Sequence, residues 1–235
     1  MHAQIQESPN AICAADKTEL VSFLRPPNSV SFRSNVFWRI FDVLLASIIL
    51  VATLPCLVLF ATLLYFSDPG PLFFVHRRIG YRGKFFGCLK FRTMRVDGDS
   101  VLQAHLASSP AALREWVETQ KLKDDPRVSK VGAIVRKLSL DEFPQLINVI
   151  RGEMSIVGPR PIVEAEVERY GQYFEFYTHV KPGLTGLWQI SGRSDTSYRR
   201  RVQLDVEYVA RKSLQLDILL LVKTIPAVLL AKGSY

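Results

Sequence analysis

The sequence predicts a mixed, helix-rich α/β domain attached to a membrane near its N-terminus, and three stretches carry that expectation. From Val43 to Phe66 the chain is apolar except for Ser47, Thr53 and Thr62, and a continuous helix of that length reaches about 36 Å, enough to enter or cross a hydrocarbon core of about 30 Å. Leu72–Val75 and Phe85–Arg92 are β-prone runs around a Tyr81-Arg82-Gly83-Lys84 turn. Beyond them the periodicity becomes helical, with an acidic helix start at Leu138–Leu146.

The 235 residues suffice for one modest domain with a core of its own. Hydrophobic residues make up 48%, mean hydropathy is +0.12, and 30 Lys and Arg against 22 Asp and Glu give a net charge of +8. Nucleic acid as a partner explains that charge but leaves the apolar run unexplained; a membrane bearing phosphorylated substrates explains both. Cys13, Cys56 and Cys88 lack C-x-x-C spacing, so neither a disulfide framework nor a zinc site is expected.

Taken in order, residues 1–34 read as a mobile leader without the apolar core and cleavage site of a secretory signal. Residues 35–67 form the membrane segment. Pro55 near its middle removes a helical hydrogen bond and favours a bend. Arg33 and Arg39 flank one side and Arg77, Arg78, Arg82 and Lys84 the other, so the positive-inside tendency is met at both ends only if both ends face the cytoplasm. On these physical grounds a re-entrant hairpin and a tilted, kinked span stand level.

Residues 68–235 form the remaining domain. In its second strand, alternation sends Lys90 and Arg92 to one face, where they suit a diphosphate; a solvated strand face looks the same. Asp97-Gly98-Asp99 reads as a turn, with no metal assigned. Ser109-Pro110 reads as a helix start, with Leu113, Trp116, Val117 and Gln120 along a packing face. Gly158-Pro159-Arg160-Pro161 holds one guanidinium between two prolines, an arrangement suited to bidentate phosphate recognition. Lys181-Pro182-Gly183-Leu184-Thr185-Gly186 fits no dinucleotide or nucleoside-triphosphate loop. Tyr198-Arg199-Arg200-Arg201 is either a solvated face or a headgroup contact. Leu214 to Ala231, interrupted by Asp217, Lys223 and Pro226, reads as an amphipathic interfacial helix or a core helix.

The acidic stretch is Leu138-Ser139-Leu140-Asp141-Glu142-Phe143-Pro144-Gln145-Leu146. Ser139 and Glu142 have capping-box spacing. Asp141, in a first helical turn, is expected to be held ionised by the helix dipole and available as nucleophile or hard-metal ligand. Pro144 leaves the helix start open.

Around this stretch lie Asp125-Pro126-Arg127-Val128, Gly132–Lys137 and Arg151–Pro161. With Lys90-Phe91-Arg92-Thr93-Met94, Lys181–Gly186 and Lys232-Gly233-Ser234-Tyr235 they resemble the signature of bacterial sugar transferases, the monotopic polyprenyl-phosphate phosphoglycosyltransferases, from about Arg39 onward. The resemblance is nearest to the exopolysaccharide galactosyl-phosphate type. It implies transfer of a sugar-1-phosphate, galactose or glucose, from a UDP-sugar to undecaprenyl phosphate with release of UMP, initiating exopolysaccharide synthesis at the bacterial inner membrane. It also implies a small cytoplasmic catalytic domain and favours the re-entrant hairpin over a span. Asp141 is then the nucleophile that carries a phospho-sugar intermediate, and Glu142 its partner in holding Mg2+ or substrate. Lys90, Arg136 and Arg160 become phosphate ligands, with Arg92, Asp205 and Asp217 second to them. The expected partners are the UDP-sugar, undecaprenyl phosphate and inner-membrane lipid, without nucleic acid; a homo-oligomer is left open. A non-catalytic, membrane-attached scaffold binding anionic lipid is the rival reading, and it gives no reason for Asp141-Glu142 to sit among arginines.

Overall fold

The computed structural model describes residues 32–119, 122–191 and 196–229. The leader, Gln120 and the closing Lys232–Tyr235 therefore lie outside the described residues, apart from the start of the first helix. Helix α1 (Phe32–Ser67) leads into a hairpin of β1 (Phe73–Ile79) and β2 (Phe85–Phe91), turned by a 3-10 turn at Tyr81–Gly83. Helices α2 (Gly98–Ser108), α3 (Pro110–Thr119) and α4 (Lys130–Lys137) follow. A 3-10 turn, Leu140–Glu142, then precedes α5 (Gln145–Arg151) and β3 (Ser155–Val157). The chain closes through α6 (Val167–Tyr170), α7 (Phe174–Thr178), β4 (Gly183–Thr185), α8 (Leu187–Ile190), α9 (Tyr198–Arg211) and α10 (Leu214–Leu229).

The mixed, helix-rich character expected from the sequence is present, with the strands in two small sheets. β1 and β2 pair antiparallel, Phe74 opposite Lys90 and His76 opposite Cys88; β3 and β4 pair parallel, Ser155 opposite Gly183. The parallel pair explains the glycines that the sequence left unassigned. A Cβ on Gly183 would lie 2.0 Å from the Gly158 nitrogen, and one on Gly186 would lie 2.2 Å from the Gly158 carbonyl oxygen, so these backbones meet only without side chains. The core formed by Leu146, Val149, Met154, Ile156, Val157, Tyr208 and Leu220 joins α5, β3, α9 and α10, and Ala46 of α1 belongs to it.

The two-helix hairpin expected over 35–67 is one helix here, with Pro55 inside it. A physical reason lies in its packing. Asp42, Ala46, Leu57 and Leu64 are buried at helical spacing on both sides of Pro55, and the second half packs with Phe91 and Val135, so one stripe docks the whole length on the same domain. Pro55 itself is exposed. The opposite face leaves Ile40, Leu44, Ile48, Val51, Leu54 and Val58 exposed, and Val36–Ser67 is long and apolar enough to cross a membrane.

Three smaller expectations change. Asp97-Gly98-Asp99 is no isolated turn: Gly98 opens α2, and Asp97 is gripped by Arg95 at 2.8 and 3.0 Å. In α3 the start is as expected, Ser109 Oγ accepting from Ala112 N, but Leu113 and Val117 are exposed, and Trp116 is half-buried beneath the Arg127 guanidinium. α10 docks on the domain through Asp217 and Leu220, as the core-helix reading has it, and exposes Ile218, Leu219, Val222 and Ile225 on its other face.

Candidate active site

Asp141 and Glu142 lie on the 3-10 turn just before α5, facing β2. Lys90 Nζ donates to Glu142 Oε1 at 2.6 Å and stands 4.0 Å from Asp141 Oδ2. The capping box is absent. Ser139 is left-handed (φ 55°) and makes no side-chain cap, and the Glu142 carboxylate that would have closed the box turns to Lys90 instead. The ammonium adds an opposite charge to the hydrogen bond, which a backbone N–H does not.

The placement of Lys90 opposite this turn depends on Asn148 in α5, which is fully buried. Its Oδ1 accepts from Leu89 N at 3.0 Å; its Nδ2 donates to Gly87 O at 2.7 Å and to Glu153 Oε2 at 2.6 Å. Asn148 thus binds β2 as a neighbouring strand would and sets its register against α5. No periodicity or motif chemistry singles out an asparagine inside a short apolar helix, and sequence reasoning missed it.

The cations stand on two sides of the acid pair. Arg136, at the end of α4, donates through Nε to Thr93 Oγ1 at 2.7 Å and attracts Asp141. Arg160 lies 5.7 Å from the Trp188 ring centroid and, with Arg78, acts on Glu142. Arg78 is the second residue missed. Its Nη1 donates to Pro161 O at 3.2 Å, tying β1 to the Arg160 loop, and its Nη2 lies 3.2 Å from His76 Nδ1. Period-2 alternation, applied to β1 as it was to β2, places His76 and Arg78 on the face of Lys90.

Burial, then the neighbouring Glu142, pushes the Asp141 carboxyl up to about 6, against the pull of Lys90 and Arg136. The expected lowering by a helix dipole does not govern this residue, because it sits in a single 3-10 turn among desolvating neighbours. Burial also acts to raise Glu142, but Lys90, through charge and hydrogen bond, and then Arg160 and Arg78 bring it below the usual glutamate range. Two adjacent carboxylates thus differ: one is held firmly ionised, while the other titrates just below neutrality.

Of the second-rank residues, Arg92 and Asp217 separate from this centre, and Asp205 stays within electrostatic reach of Arg160. Arg92 donates to Asp68 Oδ2 at 2.9 Å and to the Asp68 carbonyl, clamping the end of α1; its guanidinium is engaged away from the acid pair. Asp217 is buried among Tyr208 Oη at 2.8 Å and Lys212 Nζ at 3.9 Å, where it fastens α10 to α9. Asp205 is buried and accepts from Tyr170 Oη at 2.7 Å, with Oδ1 unpartnered and Arg160 within electrostatic reach. Burial pushes it up to about 7.

A carboxylate pair faced by lysine and arginines, on a domain carrying a long apolar helix, defines a class that handles phosphorylated substrates beside a membrane. Residues 33–231 match the family described as bacterial sugar transferase, and the chain belongs to that family. Among its relatives is the exopolysaccharide production protein ExoY of Sinorhizobium fredii, 56% identical over 94% of this chain and 99% of that protein. A UDP-galactose-lipid carrier transferase of Erwinia amylovora is 48% identical over 92% of this chain. An undecaprenyl-phosphate galactose phosphotransferase of Salmonella typhimurium is 45% identical over the same share. The match covers 45% of each of these two longer proteins.

Proposed function

We propose that the protein transfers a hexose-1-phosphate from a UDP-sugar to undecaprenyl phosphate, releasing UMP, as the initiating step of exopolysaccharide synthesis. The observation that carries this reading is the Asp141-Glu142 turn set among Lys90, Arg136, Arg160 and Arg78. Lys90, Arg160 and Arg78 act on Glu142 and Arg136 on Asp141, Arg78 being shared with Glu166 at 3.7 Å, and this basic surround suits a diphosphate. The scaffold reading leaves the acid pair without a role. The names of the Erwinia and Salmonella relatives favour galactose as the sugar.

In this reading an oxygen of ionised Asp141 attacks the β-phosphorus of the UDP-sugar, and the bond from that phosphorus to the bridging oxygen breaks with its electrons leaving on UMP. A phosphate oxygen of undecaprenyl phosphate then attacks the same phosphorus, and the Asp141 carboxylate leaves intact. Dividing the transfer keeps the two anionic substrates from meeting at one site. Arg136 and Arg160 orient the diphosphate; Lys90 holds Glu142 and stabilises charge that develops on the transferred phosphoryl group.

Magnesium suits the donor set. Asp141 and Glu142 are hard oxygen donors whose mutual repulsion helps lift Asp141. Among the described residues no three His, Cys, Asp or Glu side chains come together. One or two carboxylates completed by substrate phosphates is the usual magnesium arrangement. Asp141 and Glu142 would hold the ion, which would supply further charge neutralisation.

We further place α1 in the inner leaflet of the cytoplasmic membrane without crossing it, with the catalytic domain facing the cytoplasm. Support comes from the packing of both halves of α1 on one domain: Asp42 and Ala46 near the start, Leu57, Leu64 and Asp68 towards the end. A helix that crosses the bilayer keeps only one end against a domain on one side. The deciding experiment incubates the protein with UDP-galactose labelled in its β-phosphate, without lipid acceptor. UMP release with label on the protein, both abolished in a folded Asp141→Asn variant, is expected; substantial turnover by that variant, or kinetics requiring a ternary complex, refutes the covalent route.

A further inference from the structure

We propose that α1 is part of the catalytic scaffold as well as an anchor, with Arg39 and Asp42 as positioning residues for the two halves of the site. The proposal rests on the reading that Asp141 and Arg160 act on one UDP-sugar.

Arg39 donates through Nη1 to Val149 O and through Nη2 to Ile150 O. These carbonyls belong to the last turn of α5, where a cation is favoured; Val149 O also accepts from Gly152 N at 2.9 Å, and Arg39 adds a second donor there. Gly152 ends that helix with φ 87°, and a Cβ there would stand 3.3 Å from Arg39 Cζ, so the glycine also keeps the approach open. The acidic turn and α5 behave as one body. Phe143 N donates to Leu140 O at 3.3 Å, Leu146 N to Phe143 O at 3.0 Å and Ile147 N to Pro144 O at 3.0 Å, so Phe143 is shared by the turn and the start of α5. Holding the far end of α5 therefore holds Asp141 and Glu142.

Asp42 lies one turn further along α1, on the same docked face. Its Oδ1 accepts from Ser155 Oγ and from Ile156 N, both at 2.9 Å. Asp42, Ser155 and Ile156 are all buried, so the carboxylate of α1 is spent on β3, and its loss leaves a buried N–H unpaired. β3 runs directly into Gly158-Pro159-Arg160-Pro161. At the other end of α1, Asp68 is held by Arg92, two residues beyond Lys90. The helix thus grips the three elements that present the acid pair, Arg160 and Lys90.

The test uses the full-length protein in detergent, with UDP affinity from calorimetry and kcat and KM from UMP release. Asp42→Ala should weaken UDP binding and lower kcat/KM by about tenfold or more, the scale of a phosphate ligand displaced by about 1 Å. Asp42→Asn keeps Oδ1 as the acceptor of both bonds and should restore most of the loss. In an Arg160→Ala background Asp42→Ala should add less than about twofold, because its effect runs through Arg160. Arg39→Ala should lower kcat with little change in UDP affinity, and Arg39→Lys should recover part of it. Losses that multiply in the Asp42/Arg160 double variant, wild-type UDP binding and turnover in Asp42→Ala, or an unchanged kcat in Arg39→Ala overturn the proposal. Should Asp42→Ala fail to fold, Ser155→Ala replaces it in the same cycle. UDP binding needs no covalent step, so a failed Asp141 mechanism with an intact cycle is distinguishable from failed positioning.

Discussion

Replacing Asn148 with alanine should cost the protein much of its stability and misplace Lys90 in whatever remains folded. The side chain is fully buried and serves the edge of β2 that β1 does not reach. Truncation leaves the Leu89 N–H and the Gly87 carbonyl without their partner, and Glu153 without one of its donors. An unsatisfied buried group costs about 1–3 kcal/mol. Leu89 and Gly87 are only partly buried, so the two together should cost about 2–4 kcal/mol, a large share of the roughly 5–15 kcal/mol that holds a domain folded. Urea unfolding followed by tryptophan fluorescence in detergent measures the loss. Asn148→Asp separates hydrogen bonding from packing, since it keeps the acceptor for Leu89 N but turns the donor towards Gly87 O and Glu153 into a second acceptor. It should be at least as damaging at neutral pH and partly relieved in acid, where a protonated carboxyl donates again. A loss below about 1 kcal/mol in Asn148→Ala, with UMP release unchanged, would refute the claim that this residue registers β2 against α5.

Asp205 binds its proton more tightly folded, at about 7, than at its ordinary 3.8, so folding is opposed above pH 7 and stability is gained as pH falls from 7 towards 4. The cost at pH 8 is on the order of 4 kcal/mol; Asp205→Asn should melt higher than the parent at pH 8 and equally near pH 4, and an unchanged pH dependence of Tm argues against it. Arg92→Ala should reduce UDP affinity far less than Arg160→Ala, because its guanidinium is committed to Asp68; equal losses by calorimetry would return Arg92 to the phosphate site. Gly183→Ala should not accumulate folded protein, since its Cβ would meet Gly158 backbone at 2.0 Å, whereas Gly98→Ala, with its nearest neighbour at 3.6 Å, should be tolerated. Equal yields of the two variants would contradict the close approach of β3 and β4.

The acid pair and Arg136 were legible as near neighbours along the chain, but their assignment to one site with Lys90, 52 residues from Glu142, came from the resemblance. Asp141 and Glu142 are adjacent, Arg136 lies one turn upstream, and the prolines around Arg160 mark a rigid loop whatever the fold. The β1-β2 hairpin was legible for the same reason, since alternation and turn chemistry act over a few residues. Arg92 shows the limit: alternation placed it with Lys90, yet which anion it meets was decided by the end of α1, a segment 24 residues away in sequence that only packing brings near. Asn148 and Asp42 escaped because each works through a partner more than 50 residues distant, whereas the alternation of β1 already puts Arg78 on the face of Lys90. The Asp141 carboxyl illustrates the remaining division. Local sequence offered a helix dipole that would lower its pKa, but burial and Glu142 raise it, because desolvation is a property of everything packed around a group and a single helical turn is a property of four residues. α1 follows the same rule: proline chemistry predicted a bend and the resemblance favoured a two-helix hairpin, and a buried stripe running past Pro55 on one domain surface holds a single helix.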